Sequence, residues 1–394
     1  MSDHHTAELL LAPAACGKTA AAVDLLAAPR AGRALALVPS RDQQIALYQR
    51  LGAVRGVRAV QFYQLAGIVL ARAGAPLDLL GDTARLGLVR ALLLDLRDAG
   101  HLPIYAAVAH KRGFVAVIAE LLADLGDADI TPGAFASAAR EPHDTELAEV
   151  YTRYVAFQEA RGVADLPGRL RLARDALLAH PGLLDGYALL VADGFDQLTP
   201  IQLSLLAAAA RCIPRVAITL TLDERERPAQ RRFARTYAEL RAALDLRVRR
   251  LAPDTGRRAA PLQHLEAHLF DLDEQPRHVP AAGAVTLIEA ADREREVRAV
   301  LRRIRRLIEA GTPAPEIAIL YRDGAPYTAL LREVAAEYSL TLDVREGLPL
   351  DQALPLAALL GLLRLPLDDY PRRALIETLR SPYLDDRRPT TDDR

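Results

Sequence analysis

The 394-residue chain sets 50 Lys and Arg against 51 Asp and Glu, a formal net charge of -1, with 51% hydrophobic and 26% charged residues. That balance describes a soluble globular protein of two or three domains and excludes a chain-wide basic surface, so any nucleic-acid contact has to come from a local groove. The only cysteines, Cys16 and Cys212, exclude a disulfide framework and a self-contained four-cysteine metal site. No apolar run reaches the roughly 18 residues of a spanning helix. The polar start MSDHHTAE carries no signal-peptide pattern, so a cytoplasmic protein with no membrane segment is expected.

In chain order, AELLLA (7–12) predicts a strand, TAAAVDLLAA a helix, RALALVP (33–39) a strand, RDQQIALYQRLG a helix and VRAVQF (57–62) a third strand. Strands that are continuously apolar, separated by helices, belong to a parallel sheet covered on both faces. From about 72 to 183 apolar residues recur at i, i+3, i+4 and i+7, which predicts a helical block. Strands return at GYALLVADGF (186–195) and RVAITLTLD (215–223), so the block reads as an insertion within one α/β domain. A charged, proline-containing stretch (224–283) closes that domain. A second α/β rhythm follows, with strands at 284–290, 316–322 and 339–347 around the amphipathic helix REREVRAVLRRIRRLIEAG and the helix TALLREVAAEYS. The last thirty residues read as helical up to RRPTTDDR, a polar end expected to be disordered.

The segment Ala12-Pro-Ala-Ala-Cys-Gly-Lys-Thr19 follows the pattern G-x-x-x-x-G-K-[ST] with alanine in its first position. It sits between a strand and a helix, where consecutive backbone N–H groups and the helix N-terminus can wrap phosphates. Ala12, Ala14, Ala15, Cys16, Gly17, Lys18 and Thr19 are therefore candidate ATP contacts, with Lys18 reaching the phosphates and Thr19 ligating Mg2+. Only Lys18 and Lys111 among the basic residues are lysines, and one of the two stands in Gly-Lys-Thr. A phosphate loop needs an acidic partner at a strand end, and YALLVAD delivers Asp193 as the second Mg2+ candidate. The next residue is Gly194, where hydrolysing motors generally carry a Glu that orients the attacking water. Binding is therefore better supported than turnover.

These segments, in this order, resemble the UvrD/Rep-type superfamily 1 helicases, and most closely the AddB-like subunits of helicase–nuclease complexes that process double-strand breaks. LLLAPAACGKT is similar to motif I, ALALVPSRDQQIALYQRL to motif Ia, VQFYQLA to a DNA-facing segment and ADGFDQLTPIQLSLL to the AddB form of motif II. EREVRAVLRRIRRLIEAGTPAPEIAILYRDGAPY resembles the opening of the second motor domain with motif IV, and RSPYLDD is also similar to that family. The resemblance implies that Gln202 follows motif II at the nucleotide and that Arg322 approaches the terminal phosphate. It further implies that Phe62 and Tyr63 face single-stranded DNA, with a core role for these aromatics kept open.

The chain departs from the pattern at motif III, where TLDERE offers Asp223 and then Glu226 in place of a glutamine, and motifs V and VI and a nuclease domain would lie beyond Arg394. The pair His264 and His268 and the run DERERPAQRRFAR read as exposed helix faces rather than as a metal site or a phosphate-backbone contact. The resulting expectation is an α/β protein with a P-loop RecA-like parallel sheet domain over 1–280, carrying the insertion at about 72–183, then the start of a second RecA-like domain over 281–394. Its expected function is that of an ATP-binding, DNA-engaging subunit of a double-strand-break repair and recombination machine, with ATP and Mg2+ as cofactors. Single-stranded and duplex DNA ends and a helicase–nuclease partner subunit are its expected partners. A non-hydrolysing scaffold subunit is the alternative, and a small-molecule P-loop kinase a weaker third.

Overall fold

In the computed structural model the apolar runs of the first 221 residues become a parallel sheet; residues 7–223, 227–252, 259–271, 278–281, 283–344, 350 and 353–384 are described. The first half of the sheet is built by β1 (Ala7–Ala12), α1 (Lys18–Ala27), β2 (Arg33–Leu37), α2 (Arg41–Leu51), β3 (Val57–Val60) and α3 (Phe62–Arg72). A mainly helical excursion then runs through β4 (Asp78–Leu79), α4 (Asp82–Asp98), α5 (Arg112–Asp127), α6 (Pro132–Ala138), α7 (Pro142–Arg161), β5 (Val163–Ala164) and α8 (Leu166–Ala179). The chain returns to the sheet with β6 (Tyr187–Ala192), α9 (Pro200–Cys212), β7 (Arg215–Thr221), α10 (Arg231–Ala243) and β8 (Leu246–Arg250), and α11 (Ala260–His268) follows.

The six long strands lie in the order β3-β2-β6-β7-β1-β8, every pair parallel. Their alternating residues feed two cores. Leu35, Leu37, Leu190, Ile218 and Leu220 face α3, α8 and α9, while Ala34, Ala36, Val38, Val191 and Ala217 face α1 and α2. The alanines on the second face admit close helix approach. The sequence pattern does not predict β8, because three of its five residues are arginines. Leu246 nevertheless packs against the core, and the arginines line an edge strand, where charge discourages pairing with other chains.

The excursion has a core of its own, formed by Val89, Leu93 and Leu96 of α4, Ile118 and Leu122 of α5, and Tyr151 and Tyr154 of α7. Two buried carboxylates there are held by hydrogen bonds, whereas Gln158 Nε2 of α7 is buried without a partner among the described residues. The Glu146 carboxylate accepts from the backbone N–H of Ile104 (2.8 Å) and Tyr105 (3.2 Å). Asp165 accepts from the Tyr154 hydroxyl (2.8 Å) and caps α8 through the Gly168 N–H (2.9 Å). Burial and that carboxylate raise the Tyr154 hydroxyl above the usual phenol range, so it remains a donor. Asp165→Ala removes a cap worth about 1 kcal/mol and strands a buried hydroxyl at about 1–3 kcal/mol. Urea denaturation is therefore expected to show a loss of roughly 2–4 kcal/mol, and an unchanged midpoint would refute this account.

Residues 285–394 form a separate unit with α12 (Arg293–Glu309), α13 (Gly324–Glu337), α14 (Leu354–Arg364) and α15 (Arg372–Leu379). Val297 and Leu301 of α12 meet Leu331, Val334 and Ala335 of α13, and Arg298 forks onto Glu337, with Nη2 to Oε1 at 2.9 Å. The strands expected at 284–290, 316–322 and 339–347 are not paired into a ladder among the described residues, and 345–347 lie outside them. The strand periodicity is nonetheless present: Ile317, Ile319 and Tyr321 are half-buried, while Ala318, Leu320 and Arg322 are exposed. An apolar alternation fixes which face packs; a ladder also needs a neighbouring strand. The C-terminal segment RRPTTDDR lies outside the described residues.

Candidate nucleotide site

Strand order places the end of β1 between β7 and β8, and the helices following β1 and β2 cover the same face of the sheet. Ligands of open parallel sheets collect at the carboxyl ends of such strands. There a cleft of about 1020 Å³ opens, lined by the loop and first turn from Ala14 to Thr19, by Gln43 of α2, by Asp193 to Asp196 after β6, and by Thr219 and Thr221 of β7.

The loop is shaped by its backbone. Ala12 is still within β1, paired with Thr221 and 2% exposed, so this position has no need of the glycine found there in the general pattern. The turn is made instead at Ala15 (φ 52°) and Gly17 (φ 79°), both left-handed. A Cβ at Gly17 would meet nothing within 4 Å, so glycine is used there for its conformation, not for space. Gly17 caps α1; no side chain caps that helix and no acid lies in its first turn, which leaves the N–H groups and the positive helix end to an anion. Lys18 Nζ donates to the carbonyl oxygens of Pro13 (2.6 Å) and Ala12 (3.1 Å), which lays the ammonium across the loop. Cys16 is buried and its thiol donates to Ala14 O at 3.4 Å.

Asp193 follows the last residue of β6, is 9% exposed, and its Oδ1 accepts from the Thr219 hydroxyl of the adjacent strand. Its N–H donates to Leu37 O (3.0 Å), so both ends of the residue are fixed. Thr19 and Asp193 border the same cleft. Among the described residues no group of three His, Cys, Asp or Glu could hold a metal. One hydroxyl and one carboxylate nevertheless suit Mg2+, which binds with few protein oxygens and completes its shell with phosphate and water.

Gly194 has φ 88°, and a Cβ there would stand 2.6 Å from Gln43 Oε1. A side chain at this position would thus strain the backbone and require the exposed Gln43 carboxamide to swing aside. Phe195 meets Phe62 edge to face at 5.4 Å between ring centroids. Phe62 is accordingly a core residue, 6% exposed, and its ring is not open to stack on a base, whereas Tyr63 at the start of α3 is 39% exposed. Asp196 pairs with Arg232 (3.1 Å), and its carbonyl accepts from Thr236.

Two other positions, Gln202 and Arg322, are expected at the nucleotide. Gln202 closes the capping box of α9, its Oε1 accepting from Thr199 N–H at 3.2 Å, and it does not line the cleft. That cap accounts for the residue without a nucleotide. Arg322 is exposed in the second unit. Asp223 is held by Arg227 (3.0 Å), and its N–H donates to the buried Gln230 (3.1 Å), while Glu226 lies outside the described residues. Arg227, expected on an exposed charged face, is 5% exposed because Asp223 and α11 enclose it. The rings of His264 and His268 are 4.6 Å apart on α11, with no third ligand among the described residues. Sequence reasoning missed Gln43 and Thr219, one a polar residue on an amphipathic helix and the other one of two threonines in a mainly apolar strand.

A family model described as "ADDB, N-terminal" matches residues 14–266. Among curated proteins the chain is 28% identical over 387 residues to an ATP-dependent helicase/deoxyribonuclease subunit of Moorella thermoacetica, covering 86% of this chain and 32% of that protein. The protein of the same name from Symbiobacterium thermophilum is 28% identical over 374 residues, 84% of this chain and 31% of its own length. That of Bacillus anthracis is 25% identical over 358 residues, 82% and 30%. The chain thus spans about a third of the length of these relatives.

Proposed function

The chain belongs to the AddB N-terminal family, and from that premise we propose that it is the ATP-binding, DNA-engaging part of a helicase–nuclease subunit acting in double-strand-break repair and recombination. The observation that carries the reading is the convergence of Lys18, Thr19 and Asp193 on one cleft at the carboxyl edge of the sheet. ATP with Mg2+ supplies, when bound, the binding free energy that a motor subunit converts into a change of grip on DNA. Lys18 and the first turn of α1 receive the phosphates, and Thr19 and Asp193 hold the metal ion. Gly194 supplies no base, so turnover by this chain alone is weak or absent. Tyr63 is the exposed aromatic proposed to meet a single strand, where stacking on a base contributes about 1–3 kcal/mol. The relatives are each named as one subunit of an enzyme, which supports a partner subunit for this protein.

A scaffold that never uses nucleotide is the second reading, favoured by the Gln43 amide lying where a side chain at residue 194 would project. Calorimetric titration with ATP and Mg2+ separates the two readings. The proposal expects saturable one-to-one binding; no detectable binding at millimolar ATP would leave the scaffold. Among the described residues no helix is long and apolar enough to cross a membrane.

A further inference from the structure

The sequence places two glutamines side by side at the start of α2, and the fold uses them differently. Gln44 turns back to the sheet, where Nε2 donates to Ala59 O (2.6 Å) and approaches Gln64 (3.5 Å). Gln43 is anchored through its backbone, its N–H donating to the capping Ser40 hydroxyl (3.2 Å), and its side chain borders the nucleotide cleft. Measured from an ideal Cβ on Gly194, the carboxamide atoms Oε1, Cδ and Nε2 lie at 2.6, 3.2 and 3.4 Å. The carboxamide therefore fills the volume into which a side chain at 194 would project. Residue 194 directly follows the carboxylate assigned to the metal ion, a position that faces the terminal phosphate and its attacking water in nucleotide-hydrolysing motors.

We propose that Gln43 reads the terminal phosphate of ATP, a role that rests on the nucleotide-binding reading above. A carboxamide offers one acceptor and two N–H donors, so it can donate to a phosphate oxygen while accepting from a water. It has no basicity at neutral pH, so it orients that water without taking its proton. The cleft then distinguishes a triphosphate from a diphosphate while lacking the means to convert one into the other quickly. Such a device suits a subunit that senses nucleotide state more than one that turns it over.

The test is equilibrium binding of AMP-PNP and of ADP, each with Mg2+, by calorimetry on the full chain and on Gln43→Ala. A hydrogen bond to a charged oxygen is worth about 10- to 100-fold in affinity. Gln43→Ala is expected to weaken AMP-PNP by that factor and leave ADP within about twofold. Gln44→Ala serves as the control, expected to lower thermal stability without altering the AMP-PNP to ADP ratio. An equal loss for both nucleotides, or no loss for either, overturns the role of Gln43. Failure of the unaltered chain to bind either nucleotide would instead remove the nucleotide-binding reading on which it rests.

Discussion

Lys18→Ala is expected to weaken ATP binding roughly 100- to 20,000-fold while leaving the fold in place, because two charge-assisted contacts to phosphate are worth about 1.5–3 kcal/mol each. In the structure the ammonium already bridges the carbonyls of Ala12 and Pro13 at the mouth of the loop, so it is positioned without reorganising the chain. Removing it costs the protein little. Ala12 O still accepts from Leu222 N–H at 3.1 Å, and the left-handed turns at Ala15 and Gly17 do not depend on the lysine. Lys111, the other lysine, precedes α5 in the helical excursion, and Lys111→Ala is expected to leave ATP affinity unchanged. Calorimetry on the three proteins decides the matter: equal affinities for the unaltered chain and Lys18→Ala would show that the loop is not used for phosphate.

The sheet was legible because β1, β2, β6 and β7 are buried on both faces, and short near-continuous apolar runs bounded by helices have few other destinations. β8 was not legible, since its pattern is Leu and Val alternating with Arg and only Leu246 reaches the core, Val248 being exposed. The second unit shows the reverse failure. Residues 317–321 carry a clear alternation, but pattern specifies a packing face and says nothing about whether a neighbour supplies the ladder. That Lys18, Thr19 and Asp193 border one cleft was readable from chain position alone, because a strand end delivers its residue to the cleft whatever the side chains nearby. Side-chain direction is a different matter. Phe62 and Gln202 stand where motifs would put functional groups, yet one turns into the core against Phe195 and the other onto the cap of α9. Gln43 went unseen for the same reason in the opposite sense, since nothing local distinguishes it from Gln44.

Gly194→Glu is expected not to create an active ATPase, although it restores the residue type that hydrolysing motors carry after the metal-binding aspartate. The first obstacle is conformational: at φ 88° a residue with a Cβ is strained by about 1–3 kcal/mol. The second is space, because the new Cβ would fall 2.6 Å from Gln43 Oε1. The second obstacle is the weaker one, as a glutamine amide is the far end of a flexible side chain and can swing aside. Assayed at saturating ATP, to offset the phosphate contact that Gln43→Ala also removes, the double variant Gly194→Glu with Gln43→Ala takes away that clash and separates the two causes. If backbone conformation dominates, both variants lose about 1–3 kcal/mol in urea denaturation, and neither raises ATP turnover more than about twofold above the unaltered chain. If turnover instead rises by an order of magnitude in the double variant alone, the obstacle is the Gln43 side chain and not the backbone. A rise in the single variant would mean that the turn after Asp193 relaxes freely, so that the missing carboxylate alone accounts for the weak turnover proposed for this chain. The distinction bears on what kind of site this is. A backbone that forbids the carboxylate makes a nucleotide-holding cleft a property of the fold around β6, whereas a merely absent side chain would leave it one substitution away from a motor.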